Sequence, residues 1–216
     1  DYVRSASEAV GKVLKAGGLG YEHVVFTNPY VGPGVAYGEM NKVYAGYFEF
    51  GNTPARATIL VTSLPHETRI EYTAVAVRDL SQRLAVRPKN MKPSPTASPC
   101  VFAGDTYYCS AKSGFIPGVN GGTWASTVEN QLRQTMRNLL DNLEEAGMDF
   151  SDVVATNLYL DDRADYDKVN AVYQLYFPDL PPARTTVQQL APAERKPRRN
   201  GRWPTFEQIS LIAVKR

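Results

Sequence analysis

Residues Val169 to Val187, VNAVYQLYFPDLPPARTTV, give the strongest indication of the fold because the chain contains this segment twice. Residues Met40 to Ile59 read MNKVYAGYFEFGNTPARATI, and both stretches hold Asn, Val-Tyr, Tyr-Phe and Pro-Ala-Arg-x-Thr in that order. Arg56 corresponds to Arg184, and the other shared positions follow at a nearly constant offset. Self-similarity at a fixed period indicates one supersecondary unit used twice. The chain is therefore predicted to be a tandem duplication.

The repeat divides the 216 residues into two predicted domains. Residues 1–80 form the first copy, residues 81–97 a proline-containing linker, and residues 98–216 the complete second copy. A hydrophobic content of 43% with 21% charged residues is typical of a soluble globular protein. The net charge of +2 is too small to indicate nucleic-acid binding, and the absence of a run of 18 apolar residues excludes a membrane-spanning helix.

Hydrophobic periodicity predicts the order α-β-α-β-β for the first copy. Its elements are a helix over 3–16, a strand over 23–31, a helix over 37–48 and strands over 55–62 and 69–77.

The second copy is predicted to read ββ-α-β-α-ββ. Its elements are a hairpin of 99–103 and 106–111, a helix behind a Ser126-x-x-Glu129 capping box, a strand over 153–160, a helix over 162–177, and strands over 184–191 and 206–214. Such an alternation predicts an α+β fold in which each copy is a mixed β-sheet with two helices packed on one face.

The first copy lacks the hairpin that opens the second. The repeat predicts about 40 further residues before Asp1, which were either removed or are replaced by strands from another chain. A sheet without those strands has an unpaired edge, so we expect something to cover it.

Cys100 and Cys109 flank the turn dipeptide Gly104-Asp105, and pairing Ala103 with Thr106 places the two cysteines opposite each other. An oxidising compartment would allow a cross-strand disulfide, whereas two free thiols are expected in a cytosolic protein. We favour free thiols and a cytoplasmic location, with a removed N-terminal segment left open.

Several motifs in the second copy follow one another in a recognisable order. They are the hairpin, SA-x-SGFIPG, E-x-Q-x-RQ-x-x-x-N-L, AG, VV-x-T-x-x-YL-x-D, N-x-x-Y-x-x-YF and PAR-x-T. This order resembles the RidA family, also called YjgF or L-PSP. The resemblance implies a chorismate-mutase-like fold, assembly as a trimer with sites between subunits, and hydrolysis of 2-imino acids or their enamine tautomers to 2-keto acids and ammonia. Some members have been described as ribonucleases.

The resemblance assigns the substrate carboxylate to Arg184 and to its counterpart Arg56. An arginine binds a carboxylate through two parallel hydrogen bonds, although a surface ion pair is the more common role of an arginine in a strand. Asn170 and Asn41 either support the substrate-binding wall or serve a structural role.

Other family positions carry different residues here. Ser110 falls at the serine of the family's second strand, followed by Ala111 where a glycine is usual, and Cys100 replaces a tyrosine that often lines the pocket. Thr186 and Thr58 replace a cysteine two residues after the arginine. The resemblance makes Arg184, Ser110 and Thr186 the candidate catalytic residues and adds Cys100, Ala111 and Thr58 to the binding wall.

The glutamate that positions water in the imine hydrolases is replaced by Ser210 and Thr73. A hydroxyl orients water but is a poor base near neutral pH. Glu71 and Glu207 lie nearby, on faces that the sequence does not decide.

A histidine triad and a zinc site are disfavoured because the two histidines lie away from any Ser or Cys motif. The loop 191–204 holds five basic residues with Trp203, which favours either a solvated loop or contact with RNA. The predicted function is hydrolytic imine or enamine deamination without a cofactor. The alternatives are a small-carboxylate-binding scaffold that has lost turnover, and RNA binding or cleavage. Three tandem chains are the expected homo-oligomer.

Overall fold

The computed structural model describes residues 2–118, 121–191 and 194–216. The chain forms two compact units, Asp1–Ser110 and Ala111–Arg216. Residues 119 and 120, which follow the SGFIPG motif, and residues 192 and 193 of the 191–204 loop lie outside the described residues. The domain ranges 1–80 and 98–216 stay a prediction, because they follow the repeat rather than compactness.

The helices and strands follow the predicted order closely. The helices are α1 (Tyr2–Ala16), α2 (Tyr37–Ala45), α3 (Val128–Glu145) and α4 (Tyr166–Tyr173). The strands are β1 (Val24–Val31), β2 (Ala55–Arg56), β3 (Ile59–Leu60), β4 (Ile70–Ala76), β5 (Arg83–Val86), β6 (Cys100–Ala103), β7 (Thr106–Lys112), β8 (Val153–Leu160), β9 (Ala183–Gln188) and β10 (Glu207–Val214).

Strand β1 organises the sheet of the first unit. It pairs in parallel with β2 and β3 and antiparallel with β4. The strand predicted over 55–62 is interrupted at Ala57, whose carbonyl accepts a hydrogen bond from the side-chain amide of Asn28 at 3.1 Å. A side chain thus takes an acceptor that an unbroken strand would offer to its neighbour.

Residues 81–97, which the sequence predicts as a linker, contain a further strand. Arg83–Val86 forms β5 and pairs antiparallel with β6, from Arg83 opposite Ala103 to Val86 opposite Cys100. This short segment lies before the prolines, so every one of its residues has a backbone N–H available for the ladder.

Among the described residues, two apolar clusters stabilise the first unit. One joins Val3 of α1 to Val31, Met40 and Ile70. The other packs the 100–103 strand against the first sheet through Val25, Ala55 and Val101.

Strand β8 organises the second unit, pairing antiparallel with β10 and in parallel with β9. Helix α3 begins one residue later than the predicted capping box requires. Thr127 is the N-cap and accepts a hydrogen bond from the N–H of Asn130 at 3.3 Å. This start places Val128 and Leu132 on the buried face, four residues apart. The predicted α+β fold, with mixed sheets and helices, is confirmed.

The hairpin has the predicted register, with Cys100 opposite Cys109 and Ala103 opposite Thr106. The two cysteines form a disulfide, so our preference for free thiols is corrected. Both cysteines are fully buried. In the described residues, no helix has the length and apolar character needed to cross a membrane.

Candidate functional site

Each copy presents the same three side chains on one helix face. Tyrosine, asparagine and tyrosine follow at spacings of four and three residues, which places them on neighbouring turns of a helix. They are Tyr37, Asn41 and Tyr44 in α2 and Tyr166, Asn170 and Tyr173 in α4.

The guanidinium of Arg56 lies on this face in the first unit. Nη1 donates to Oδ1 of Asn41 at 2.8 Å, and Nη2 lies 3.5 Å from the hydroxyl of Tyr37. The guanidinium carbon lies 4.9 Å from the centre of the Tyr44 ring, within the range of a cation–π contact. Arg56 is 8% exposed.

Arg184 repeats the arrangement in the second unit. Its Nη2 donates to the hydroxyl of Tyr166 and to Oδ1 of Asn170, both at 2.9 Å, and the guanidinium lies 4.6 Å from the centre of the Tyr173 ring. Nη1 and Nε have no hydrogen-bond partner within the described ranges. Two donors of the planar fork are therefore free to bind one carboxylate.

Each tyrosine whose ring packs against an arginine is hydrogen-bonded to a threonine. Thr27 and Tyr44 share a hydroxyl hydrogen bond of 2.7 Å, and Thr156 and Tyr173 share one of the same length. Burial raises the pKa of both tyrosines above the usual value, although these hydrogen bonds oppose the shift. Both rings stay neutral at physiological pH, so neither tyrosine neutralises its arginine.

Ser110 contacts the main chain of Arg56. Its Oγ accepts a hydrogen bond from the N–H of Arg56 at 2.8 Å and donates one to the carbonyl of Ser98 at 2.6 Å. The N–H of Ser98 donates in turn to the carbonyl of Pro54 at 3.1 Å. The proton of the Ser110 hydroxyl is thus committed to a carbonyl, and the geometry gives this buried serine a supporting role.

The two arginines differ in their strands. Strand β2, which carries Arg56, is buried at both positions, whereas β9 around Arg184 alternates between exposed and half-buried residues. None of the described residues gives the main chain of Arg184 a hydroxyl contact like that of Ser110. Among the candidate residues, Ser110 therefore lies with Arg56 in the first unit, and Arg184, Asn170 and Thr186 lie in the second.

The remaining candidates are distributed as follows. Thr58 and Thr186 are half-buried, two residues after their arginines. Cys100 offers no side-chain atom to a ligand, because it is fully buried and its sulfur is bonded to Cys109. Ala111 begins the second unit and is half-buried.

The positions of the family glutamate are equivalent in the two copies. Thr73 lies opposite Asn28, and Ser210 lies opposite Asn157, whose side-chain amide is 3.5 Å from the serine hydroxyl. Neither position carries a carboxylate, and Ser210 is buried.

Glu207 does not replace the family glutamate. It is fully buried and accepts a hydrogen bond at Oε1 from Thr135 of α3, on the face of β10 opposite to Ser210. Oε2 has no partner in the described part of the chain. Burial raises the pKa of Glu207 to about 8, although the hydrogen bonds from Thr135 and the Gly114 backbone oppose the shift.

One arginine of the basic 191–204 loop forms ion pairs with aspartates of the same chain. Arg195 donates to both oxygens of Asp161 and, from Nη1, to Asp165 at 2.6 Å. Burial raises the pKa of Asp165, but the hydrogen bonds from Arg195 and Lys168 outweigh it and keep that pKa below the usual value. Arg195 is therefore not available to a phosphate backbone.

Sequence reasoning missed the tyrosines around the arginines and the two aspartates. Tyr44 and Tyr173 lie inside the quoted repeat, and extending the repeat by four residues includes Tyr37 and Tyr166. No comparable signal marks Asp161, because its partner is distant in the chain. Within the described ranges, no group of histidine, cysteine and acidic side chains could hold a metal ion.

The chain is similar in sequence and fold to known proteins. The endoribonuclease L-PSP family profile matches residues 1–78 and 89–193. The chloroplastic Reactive Intermediate Deaminase A of Arabidopsis thaliana is 37% identical over 94 residues, which are 44% of this chain and 50% of that protein. The human 2-iminobutanoate/2-iminopropanoate deaminase is 34% identical over 94 residues, which are 44% of this chain and 68% of that protein.

Solved structures agree with the sequence relatives. The crystal structure of RidA from an Antarctic Psychrobacter species superimposes with a TM-score of 0.51 at 26% identity, covering 61% of this chain and 98% of the other. The family profile matches both copies, and this structure shares the fold. The chain therefore belongs to the endoribonuclease L-PSP family, the family of RidA and YjgF.

Proposed function

We propose that this protein hydrolyses 2-imino acids, or their enamine tautomers, to 2-keto acids and ammonia. The Arabidopsis relative is named a reactive intermediate deaminase, and the human and rat relatives are named 2-iminobutanoate/2-iminopropanoate deaminases. The observation that carries the proposal is the duplicated arginine, positioned by uncharged oxygen acceptors and stacked on tyrosine. Such an arginine keeps its full charge for a ligand carboxylate.

In the proposed reaction, Nη1 and Nε of Arg184 bind the substrate carboxylate and fix the plane of the imine. Water adds to C2 of the protonated imine, the C2–N bond of the resulting carbinolamine breaks, and the nitrogen leaves as ammonia while C2 becomes a ketone. One proton of the attacking water goes to the departing nitrogen, and the hydroxyl proton of the carbinolamine is released to solvent as C2 becomes a ketone. Positioning and the retained positive charge are the protein's main contributions.

The first experiment measures ammonia release from 2-iminopropanoate generated in situ. We expect Arg56→Ala and Arg184→Ala each to lower kcat/KM, and the double variant to lose at least about 100-fold, as removal of a bidentate charged contact costs roughly 3 kcal/mol. Arg137→Ala is the matched control, because Arg137 is a solvent-exposed arginine on α3 paired with Asp141. Full activity in the double variant would refute the proposal.

A binding protein without turnover is the second candidate. It is favoured by the hydroxyl residues Thr73 and Ser210 at the two positions where hydrolases have glutamate, and by the orientation of Glu207 toward Thr135. Titration with pyruvate separates the candidates. Binding that both arginine variants lose, without any ammonia release by the unmodified protein, would establish a carboxylate-binding function.

A further inference from the structure

The disulfide lies at the open end of the hairpin, away from its turn. Cys100 is opposite Cys109, and continuing this register outward brings Pro99 opposite Ser110. A residue pair at that position of an antiparallel ladder exchanges two backbone hydrogen bonds. Ser110 donates its N–H to the carbonyl of Pro99 at 2.9 Å, but a proline has no N–H with which to return the bond. The disulfide therefore holds this end of the hairpin where the ladder is incomplete.

Two serines connect this end of the hairpin to the segment that carries Arg56. The Oγ of Ser110 accepts a hydrogen bond from the N–H of Arg56 at 2.8 Å and donates to the carbonyl of Ser98 at 2.6 Å. The N–H of Ser98 donates to the carbonyl of Pro54 at 3.1 Å, and the hydroxyls of Ser98 and Thr53 lie 3.3 Å apart. Both serines and Thr53 are buried, so a bond lost here leaves a polar group without a partner. The hairpin thus contacts residues 53–56 at three points.

Strand β2 depends on these contacts because it is only two residues long. One of its edges pairs with β1, where Phe26 lies opposite Ala55 and Thr27 lies opposite Arg56. A strand this short forms few ladder bonds with its neighbour. The hydroxyl of Ser110 binds the N–H of Arg56 and so adds a second attachment to the strand.

The main-chain position of Arg56 matters because its side-chain partners lie on a different element. Asn41 and Tyr44 belong to α2, and they meet the guanidinium at 2.8 Å and, from the ring centre, at 4.9 Å. The distance between strand and helix therefore sets the orientation of the guanidinium fork. A displacement of about 1 Å at a binding group can cost on the order of 100-fold in activity.

We infer that the Cys100–Cys109 disulfide and Ser110 are positioning groups for Arg56. The disulfide fixes the hairpin end that carries both serines, and the hydroxyl of Ser110 fixes the main chain of Arg56. Neither group has to touch the ligand. The consequence for binding rests on the proposed carboxylate site at Arg56, whereas the contacts with the main chain can be tested without any ligand.

Hydrogen exchange followed by mass spectrometry tests the contacts in the full chain. We expect Ser110→Ala, and separately the double variant Cys100→Ser, Cys109→Ser, to speed exchange of residues 53–58 about fivefold or more. Residues 153–160 of the second unit should exchange as before. The exposed Ser63→Ala is the matched control and should change neither segment. Unchanged exchange of residues 53–58 in both variants, or equal acceleration of residues 153–160, would overturn the inference.

The Kd for pyruvate tests the consequence for binding, with one of the two arginines left in place. In the Arg184→Ala protein, where Arg56 remains, the double cysteine change should raise the Kd about tenfold. In the Arg56→Ala protein it should leave the Kd unchanged, because Arg184 lies in the other unit. A general loss of stability would raise both values alike, and that result would overturn the inference. Pyruvate binding in neither protein would refute the carboxylate site itself, and the exchange measurement alone would then decide whether Arg56 is positioned by the hairpin.

Discussion

At the level of single residues, Arg56 and Arg184 each donate hydrogen bonds to neutral acceptors, where a carboxylate would be the stronger partner. Each arginine together with its asparagine and tyrosines is called an arginine cradle below. A carboxylate would neutralise the guanidinium and compete with a ligand, whereas Asn41 and Asn170 orient it without cancelling its charge. The tyrosine rings below provide a flat surface that accepts a cation. Each cradle is thus suited to a planar anion.

Replacing Asn170 tests this orientation. Asn170→Ala removes one of the two acceptors of Arg184, and we expect KM for the imine, or the Kd for pyruvate, to rise about tenfold with little change in kcat. Asn41→Ala measures the same contact in the first unit, and the exposed Asn130→Ala serves as the control. An unchanged KM in both cradle variants would mean that neither asparagine orients a substrate-binding arginine.

The raised pKa of Glu207 predicts that the free energy of unfolding depends on pH. Its pKa is about 8 when folded and near the usual 4.5 when unfolded, so the folded state binds the extra proton between these values. The contribution of Glu207 to the free energy of unfolding is therefore greatest below pH 4.5. It falls as the pH rises to about 8 and is constant above that. We expect the fall to be on the order of 3 to 5 kcal/mol.

Chemical denaturation at a series of pH values checks this prediction by comparing the protein with Glu207→Gln. The amide cannot ionise, so the difference in unfolding free energy between the two should change across pH 4.5 to 8. A constant difference over that range would show that Glu207 is already ionised in the folded protein.

At the level of elements, the 191–204 loop has a structural role that its basic composition does not indicate. Arg195 bridges Asp161, which follows β8, to Asp165 near the start of α4, and its guanidinium lies 4.7 Å from the Phe206 ring centre. Both aspartates are buried, and a buried carboxylate requires a partner. The loop thereby ties the end of one strand to the next helix.

Removing this arginine should destabilise the second unit. Arg195→Ala leaves two buried carboxylates without their main counter-charge, and we expect a loss of about 3 kcal/mol in unfolding free energy by denaturant titration. Arg199→Ala, on the exposed part of the same loop, should change it by less than about 0.5 kcal/mol. Equal effects of the two variants would contradict the structural role.

The hairpin disulfide offers a second test at this level. The bond joins residues 9 positions apart, and a loop of that size stabilises by about 2 to 3 kcal/mol through its effect on the unfolded chain. We expect the double variant Cys100→Ser, Cys109→Ser, and the reduced protein, to lose this amount. Added reductant should leave the stability of the double variant unchanged, and a further decrease there would point to a different cause.

At the level of the whole molecule, the tandem repeat predicts the assembly. The family resemblance implies a three-fold ring of domains, and the two copies in one chain cannot close such a ring. Three chains with six copies are the simplest closed solution. Light scattering should therefore give a mass of three times 23.9 kDa, whereas a mass of one chain would exclude this assembly.

The tandem α+β architecture and the hairpin register could be predicted from the amino-acid sequence. These follow from local rules, namely hydrophobic periodicity, turn residues and the repeat of Asn, Tyr and Arg. The contacts between side chains distant in sequence became visible in the folded structure. It brought Ser110 to Arg56 rather than to Arg184, committed Arg195 to two aspartates, turned Glu207 toward α3, and made a strand of 83–86. These contacts join residues far apart in the chain. The residues adjacent in sequence therefore do not indicate which partners come into contact.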